Sequence, residues 1–446
     1  MYGALILTLL LAPALASAGY FSYRLVKALS LLSAAVSLSL SLYLFLQGET
    51  VEAFGGFFYV DRLASAFLVM ISSVYLLSTV YSFYYVEERG LIGERLYYVL
   101  LDLFTSSMMF TVIVNDYGLM WAGVELTTVT SALLVAFERT DVSLEAAWRY
   151  IIIVSSGITV AIISLVLIYY NFHTLSITEV LAKAPAVGSE AVRAAVAVAL
   201  IGLGTKVGVF PMYTWLPDAH SEAPSPVSAM FSGVLLPTAL YALYKIYQVY
   251  PLTNLYVIFG TLSIVTASII LMHQWHIKRM FAYSTIVNMN LALIGFAVGQ
   301  PVGATLLLMA HAFGKAGAFY SSGVVMRFFG KRIDGISGVW RLRLTSSALL
   351  LSSFAVTGTP PFATFIGEFF ILRSLLERGF VVEFALLVAF LAMEFISINY
   401  HVSRMVFGGN AEEKREEPKN LSLVSLASAV IPLAMGVVLL ALGWAP

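Results

Sequence analysis

The stretch AVALIGLGTKVGVFPMYTW, residues 197–215, decides the fold class. It is an apolar run suited to a membrane-spanning helix, yet it carries Lys206 inside it and Pro211 five residues later. A charged side chain at the bilayer centre costs about 2.5–3.5 kcal/mol on insertion scales, so this lysine needs a partner, water or a function that offsets that cost. A proline inside a helix removes one backbone donor and leaves the carbonyl four residues earlier unpaired. In lipid such a break survives only where it lines water or is covered by protein. A second stretch holds the same ingredients in reverse order. In TGTPPFATFIGEFFIL, residues 357–372, Pro360 and Pro361 come first and Glu368 follows.

The rest of the chain fits a membrane setting. Of 446 residues, 60% are hydrophobic and 11% charged, against about 25% charged in soluble domains. A hydrocarbon core of ~30 Å needs about 20 mostly apolar residues per helix. That ruler predicts an all-α protein of fourteen transmembrane helices: TM1 2–19, TM2 22–47, TM3 60–86, TM4 95–114, TM5 116–137, TM6 143–169, TM7 190–219, TM8 223–249, TM9 253–274, TM10 279–299, TM11 301–328, TM12 344–376, TM13 380–408 and TM14 420–444. The first twenty residues resemble a signal peptide in their apolar run, but they lack a basic leading region and are read as TM1. No soluble domain interrupts the series, and AEEKREEPKN, 411–420, is a connector, so 1–446 is read as one integral membrane domain.

Charge narrows the function classes. Net charge is zero, which argues against nucleic acid as a partner. There is no cysteine, which excludes disulfides, thiolate-bound zinc and cysteine-held iron–sulfur clusters. No Gly-rich phosphate loop is present, and neither a metal nor a cofactor is expected on this chain. Lys and Arg crowd one set of loops, those with Arg24, Arg95, Arg139, Lys278, Lys331 and Lys414. The other set, with Arg62, Lys183 and Arg373, holds few. The rich side faces the cytoplasm, which puts both termini outside a multi-pass protein of the plasma membrane.

Further ionisable side chains fall inside the spans. Glu125 lies in LMWAGVELTTVTSALLV on TM5, and His311 and Lys315 lie four apart on TM11, hence on one face. Glu368 is on TM12 and Glu394 on TM13. Glu394, Asp102, His220 and Lys245 are accessory candidates, Glu394 and Asp102 being nearer helix ends. The competing reading is a set of salt bridges that hold the bundle, although buried pairs stabilise poorly against an apolar core. Proline placement favours a transport role. Helix breaks are expected at Pro211, at Pro237 and at Pro360–Pro361, and broken helices at matched positions mark inverted-repeat transporters. TM4–TM8 and TM9–TM13 then form two inverted five-helix repeats with TM7 and TM12 broken, and the inversion explains the swapped order of charge and proline.

TKVGVFPMYTWLPDAHSEAPSPVSAMFSG, 205–233, resembles the antiporter-like membrane subunits of respiratory complex I, membrane-bound hydrogenases and Mrp-type cation/proton antiporters. WAGVEL (121–126), EAAWRYIII (145–153), HIKRMFAYSTIVNM (276–289) and AHAFGKAGAF (310–319) extend the likeness, which covers a core of residues 60–408. It implies a path of ionisable residues and water across the midplane, with Glu125 and Lys206 as a carboxylate–lysine pair, His311 as the TM11 histidine and Glu368 as the exit residue. Two positions depart from the pattern. Pro237 stands where relatives often have lysine, Lys245 being two turns further on, and Asn288 stands where they often have histidine.

On this reading Lys206 takes a proton from the cytoplasmic half, Glu125 sets its affinity, and the proton leaves through His311, Lys315 and Glu368. The cargo is protons, with sodium as the alternative. Moving one charge against 100 mV takes about 2.3 kcal/mol, so the driver lies in partner membrane subunits or in a cation gradient. The leading expectation is a proton-translocating subunit of a redox-linked respiratory complex, without an active site of its own. The short stretch after TM14 suggests an internal or smaller member of such an array. The alternatives are a subunit of an Mrp-type antiporter and a scaffold whose proton path has degenerated.

Overall fold

The computed structural model describes residues 2–89, 93–409 and 416–443. Residues 410–415, with Lys414 from the orientation argument, lie outside the described residues, as do Met1, 90–92 and 444–446. Apart from one short hairpin the described chain is helical. In order run α1 (Tyr2–Ala16), α2 (Tyr23–Gln47), β1 (Val51–Ala53), β2 (Phe58–Val60), α3 (Arg62–Arg89), α4 (Glu94–Ile113), α5 (Tyr117–Val135), α6 (Asp141–Phe172), α7 (Ile177–Lys183), α8 (Glu190–Val207), α9 (Trp215–Glu222), α10 (Ser225–Met230), α11 (Leu236–Tyr247), α12 (Thr253–Met272), α13 (Ile277–Ala297), α14 (Pro301–Phe329), α15 (Arg343–Val356), α16 (Ala363–Glu377), α17 (Val381–Phe407) and α18 (Lys419–Ala441).

Twelve helical stretches among the described residues are long and apolar enough to cross a membrane. The two expected spans missing from that set are 190–219 and 344–376, and each is divided into two shorter helices. α8 stops at Val207, with Gly208 in the left-handed region, and the chain turns through Pro211 before α9. α15 stops at Val356, and the chain passes Pro360 and Pro361 before α16. Pro237 corrects the expectation of a third break. Phe231–Leu235 form a π-turn that leads directly into α11, so helical structure runs on from Ser225 to Tyr247. The wider turn accommodates the missing donor and the ring without ending the helix.

Two compact units divide the chain. The first takes 1–79, 89–215 and 234–255. In it α6 and α8 pack closely, and a Cβ on Gly202 would come within 2.7 Å of Ala161, so the helices meet only because that position has no side chain. At one end the β-hairpin, Asn115 and the start of α7 are stitched together: Asn115 donates to the Gly56 carbonyl and to Thr178, both at 2.9 Å. The second unit takes 80–88, 216–233 and 256–446. α14 is at its centre, packed by α10, α13, α15, α16 and α18. α13 is buried on every face, whereas α17 and α18 leave most of their surface exposed and apolar, as lipid-facing helices do.

Candidate functional site

In the first unit the site is built on the end of α8. The last carbonyls of a helix have no intrahelical partner and carry the negative end of its dipole, and Lys206 is the penultimate residue of α8. Its side chain is fully buried and reaches α5, where its ammonium donates to the Val124 carbonyl at 2.7 Å, Thr127 Oγ1 at 2.5 Å and Thr128 Oγ1 at 2.6 Å. An ammonium has three donors, and all three are used. The two threonine hydroxyls donate backward to the Val124 carbonyl, which turns their lone pairs toward the lysine.

Glu125 lies among these acceptors but forms no direct ion pair with Lys206 among the described residues, although the two charges interact through space. Its Oε1 accepts from Ser155 of α6 at 2.6 Å, while its buried Oε2 has no hydrogen-bond partner among the described residues. Lys206 is therefore held by neutral oxygens, with one carboxylate oxygen left uncommitted nearby. The hydroxyl network extends to Tyr150, whose hydroxyl lies 2.7 Å from Ser131. The Tyr150 ring stacks on Trp215 at 4.5 Å, and Trp215 donates to the Thr205 carbonyl at 2.9 Å.

The second unit gathers the other ionisable residues. His311 and Lys315 are both fully buried on α14. His311 Nε2 lies 3.5 Å from Ser232, which is 2.6 Å from Thr285 on α13; His311 Nδ1 is buried without a hydrogen-bond partner among the described residues. Lys315 donates to the Phe281 carbonyl at 2.8 Å and interacts electrostatically with Glu394 of α17. Glu368 sits in the second turn of α16, toward the positive end of that helix, 8% exposed and packed against Gly358. Asn288 has a definite task. Its amide donates at 3.0 Å to the carbonyl of Val356, the last residue of α15. With Thr357, the Thr359 amide and Thr364, it satisfies all four terminal carbonyls of α15, at Ser353, Phe354, Ala355 and Val356.

Lys245 and Asp102 stand apart from these clusters, whereas His220 interacts electrostatically with Lys315 and His311. Lys245 forms an ion pair with Asp61 at 2.6 Å, and Asp61 caps the start of α3 through the Ala64 amide. His220 is stacked on Phe319 at 4.9 Å, with no hydrogen-bond partner for either ring nitrogen among the described residues. The signature segment around it is gripped by bases. Arg279 pairs with Asp218 at 2.8 Å, Lys331 with Glu222 at 2.9 Å, and Lys278 donates to the Ala223 carbonyl just past α9 at 2.6 Å. Among the described residues Asp102 is held by Ser30 and Tyr75 alone. Sequence reasoning missed Thr127, Thr128, Ser155 and Tyr150; the only available sign was the run of hydroxyl residues following Glu125. No group of three or more His, Asp or Glu suited to a metal occurs among the described residues.

The transmembrane family described as NADH:quinone oxidoreductase/Mrp antiporter matches residues 114–397. The hydrogenase-4 component F homolog of Methylacidiphilum infernorum is 31% identical over 80% of this chain and 80% of its own length. NADH-quinone oxidoreductase subunit N of Moorella thermoacetica is 27% identical over 88% and 83%. Among solved structures, a chain of the membrane-bound sulfane sulfur reductase, an archaeal respiratory membrane complex, superposes with a TM-score of 0.89 at 23% identity, over 99% of this chain and 95% of that one. The Mrp complex from Dietzia sp. gives 0.88 at 20% over 98% and 95%. Respiratory complex I from Thermus thermophilus gives 0.85 at 21% over 100% and 98%. The helical, multi-span fold is shared with chains of all three assemblies.

Proposed function

The chain belongs to the NADH:quinone oxidoreductase/Mrp antiporter transmembrane family, and from that premise we propose that it is a proton-translocating subunit of a redox-linked respiratory membrane complex. The observation that carries this is the Lys206 ammonium at the broken end of α8, saturated by three neutral oxygens of α5 beside the partly uncommitted carboxylate of Glu125. Such a lysine has two states of different charge, and any movement of Glu125 changes the balance between them. The proton then passes to His311, Lys315 and Glu368, and Glu394 beside Lys315 takes part in the same exchange. Energy comes from partner membrane subunits. The names of the relatives favour a redox-linked complex over an Mrp-type antiporter, which remains the second reading on fold likeness.

The finer architecture belongs to the same proposal. Each of the two interrupted spans crosses the membrane once and joins the twelve continuous ones, for fourteen in all, and TM4–TM8 and TM9–TM13 are inverted repeats. The whole chain acts as one integral membrane domain of the plasma membrane with both termini outside. The test is a double-mutant cycle in the assembled complex reconstituted into vesicles. Lys206→Ala and Glu125→Gln should each abolish most ion translocation while assembly persists, and the double mutant should be barely worse than either. Multiplicative losses would assign the residues separate roles, and undiminished translocation in both would make this chain a scaffold.

A further inference from the structure

One buried acid has no place in the path from Lys206 to Glu368. Asp102 is fully buried on α4, and its only partners among the described residues are neutral hydroxyls from two other helices. Ser30 of α2 donates to Oδ2 at 2.8 Å and Tyr75 of α3 to Oδ1 at 2.6 Å. Ser33 Oγ lies 2.7 Å from the Tyr75 hydroxyl and 3.0 Å from the Ser30 carbonyl. No charged side chain among the described residues interacts with it. α1 packs on α4 and carries no ionisable group beyond Tyr2. On α5 and α11, Glu125 is held by Ser155, Lys245 by Asp61, and Tyr117 donates to the Lys245 carbonyl.

The same four groups form two complete hydrogen-bond patterns. With the carboxylate ionised, Ser30 and Tyr75 both donate to it and Ser33 donates to Tyr75. With the acid protonated, the carboxyl donates to the Tyr75 oxygen, Tyr75 turns to donate to Ser33, and Ser33 donates to the Ser30 carbonyl. A hydroxyl is donor and acceptor at once, so rotating two O–H bonds converts one pattern into the other with nothing unpaired. The serines continue beyond the site. Ser30, Ser33, Ser37 and Ser41 recur at spacings of three and four, which puts them on one face of α2, and all are buried. Ser37 Oγ and Ser41 Oγ have no hydrogen-bond partner among the described residues. A buried hydroxyl without a partner weakens a fold, so packing does not explain this stripe.

We propose that Asp102, Tyr75, Ser30 and Ser33 form a proton-exchanging site distinct from the α8 break, reached along the buried serines of α2. Infrared difference spectra of the purified complex between acid and alkaline pH test it directly. A protonated-carboxyl stretch should appear, vanish in Asp102→Asn and shift in Tyr75→Phe, which removes one hydrogen bond but keeps the ring. If Asp102→Asn does not assemble, the Tyr75→Phe shift decides alone. Ser37→Ala combined with Ser41→Ala should leave thermal stability equal or better, yet slow the deuterium shift of that band several-fold. A band unchanged in Asp102→Asn, or in Tyr75→Phe where that variant decides, overturns the site, and unslowed exchange in the serine double mutant overturns the route. Because the readout is a spectrum, failure of the Lys206 reading leaves this result standing.

Discussion

Gly358→Ala moves the Glu368 carboxylate without altering its charge. Gly358 has φ +58°, a left-handed conformation that costs an L-residue about 1–2 kcal/mol. A methyl group there would overlap both carboxylate oxygens, Oε1 at 2.6 Å and Oε2 closer still, and real Cβ atoms essentially never approach a neighbour within 3.0 Å. Glu368 must therefore retreat by about 1 Å, a displacement that in a positioned reaction is worth on the order of 100-fold in rate. Gly379 supplies the control, since it has φ +85° but nothing within 4 Å of its would-be Cβ. Gly379→Ala carries the backbone strain alone. In vesicles holding the assembled complex and a pH-sensitive dye, Gly358→Ala should translocate about 100-fold more slowly than Gly379→Ala. Their melting temperatures should differ far less than their rates. Equal translocation by the two variants would refute the placement of Glu368 in the path.

Thr127→Val with Thr128→Val strips two of three acceptors from the Lys206 ammonium and should destabilise the protein by about 1–3 kcal/mol per lost bond; adding Lys206→Met should recover much of that loss, and strictly additive melting shifts would show the bonds to be unimportant. Asn288→Leu leaves the Val356 carbonyl without its donor and should lower stability by about 1–3 kcal/mol, measurable as a lower thermal midpoint, whereas Asn288→Gln should lose less. For topology, single cysteines at Asp334 and at Glu52 in the β-hairpin of this cysteine-free chain should label oppositely in intact cells, with an impermeant thiol reagent reaching position 52 and not 334. Labelling at 334 alone would reverse the orientation.

The twelve long apolar helices were legible because each rests on a local property, the length of an apolar run against the thickness of a bilayer. The helix interruptions near Pro211 and near Pro360–Pro361 were legible for the same reason: proline acts on its own helix. Pro237 was misjudged because its effect depends on whether the helix can widen, and the π-turn over Phe231–Leu235 supplies that room. The grip on Lys206 was not legible. Threonine in an apolar helix commonly bonds back to its own turn, so Thr127 and Thr128 looked ordinary until α8 brought an ammonium 79 and 78 residues away against them. Asn288 read as a lost proton carrier for a similar reason, since its acceptor lies 68 residues further along the chain. Lys245 looked like a displaced path residue because nothing local pointed to Asp61, 184 residues earlier.

The acceptors of Lys206 also bear on how this protein tolerates change over generations. Val124, Glu125, Thr127 and Thr128 fit within five consecutive positions of α5, so the receptor for the lysine is inherited as one short word. Each step along a helix rotates the side chain by ~100°. A single codon gained or lost between Asp116, which caps the start of α5, and Val124 would swing the whole word away from Lys206, although every residue in it remained. Length variation is therefore expected to be purged from the eight positions ahead of Val124.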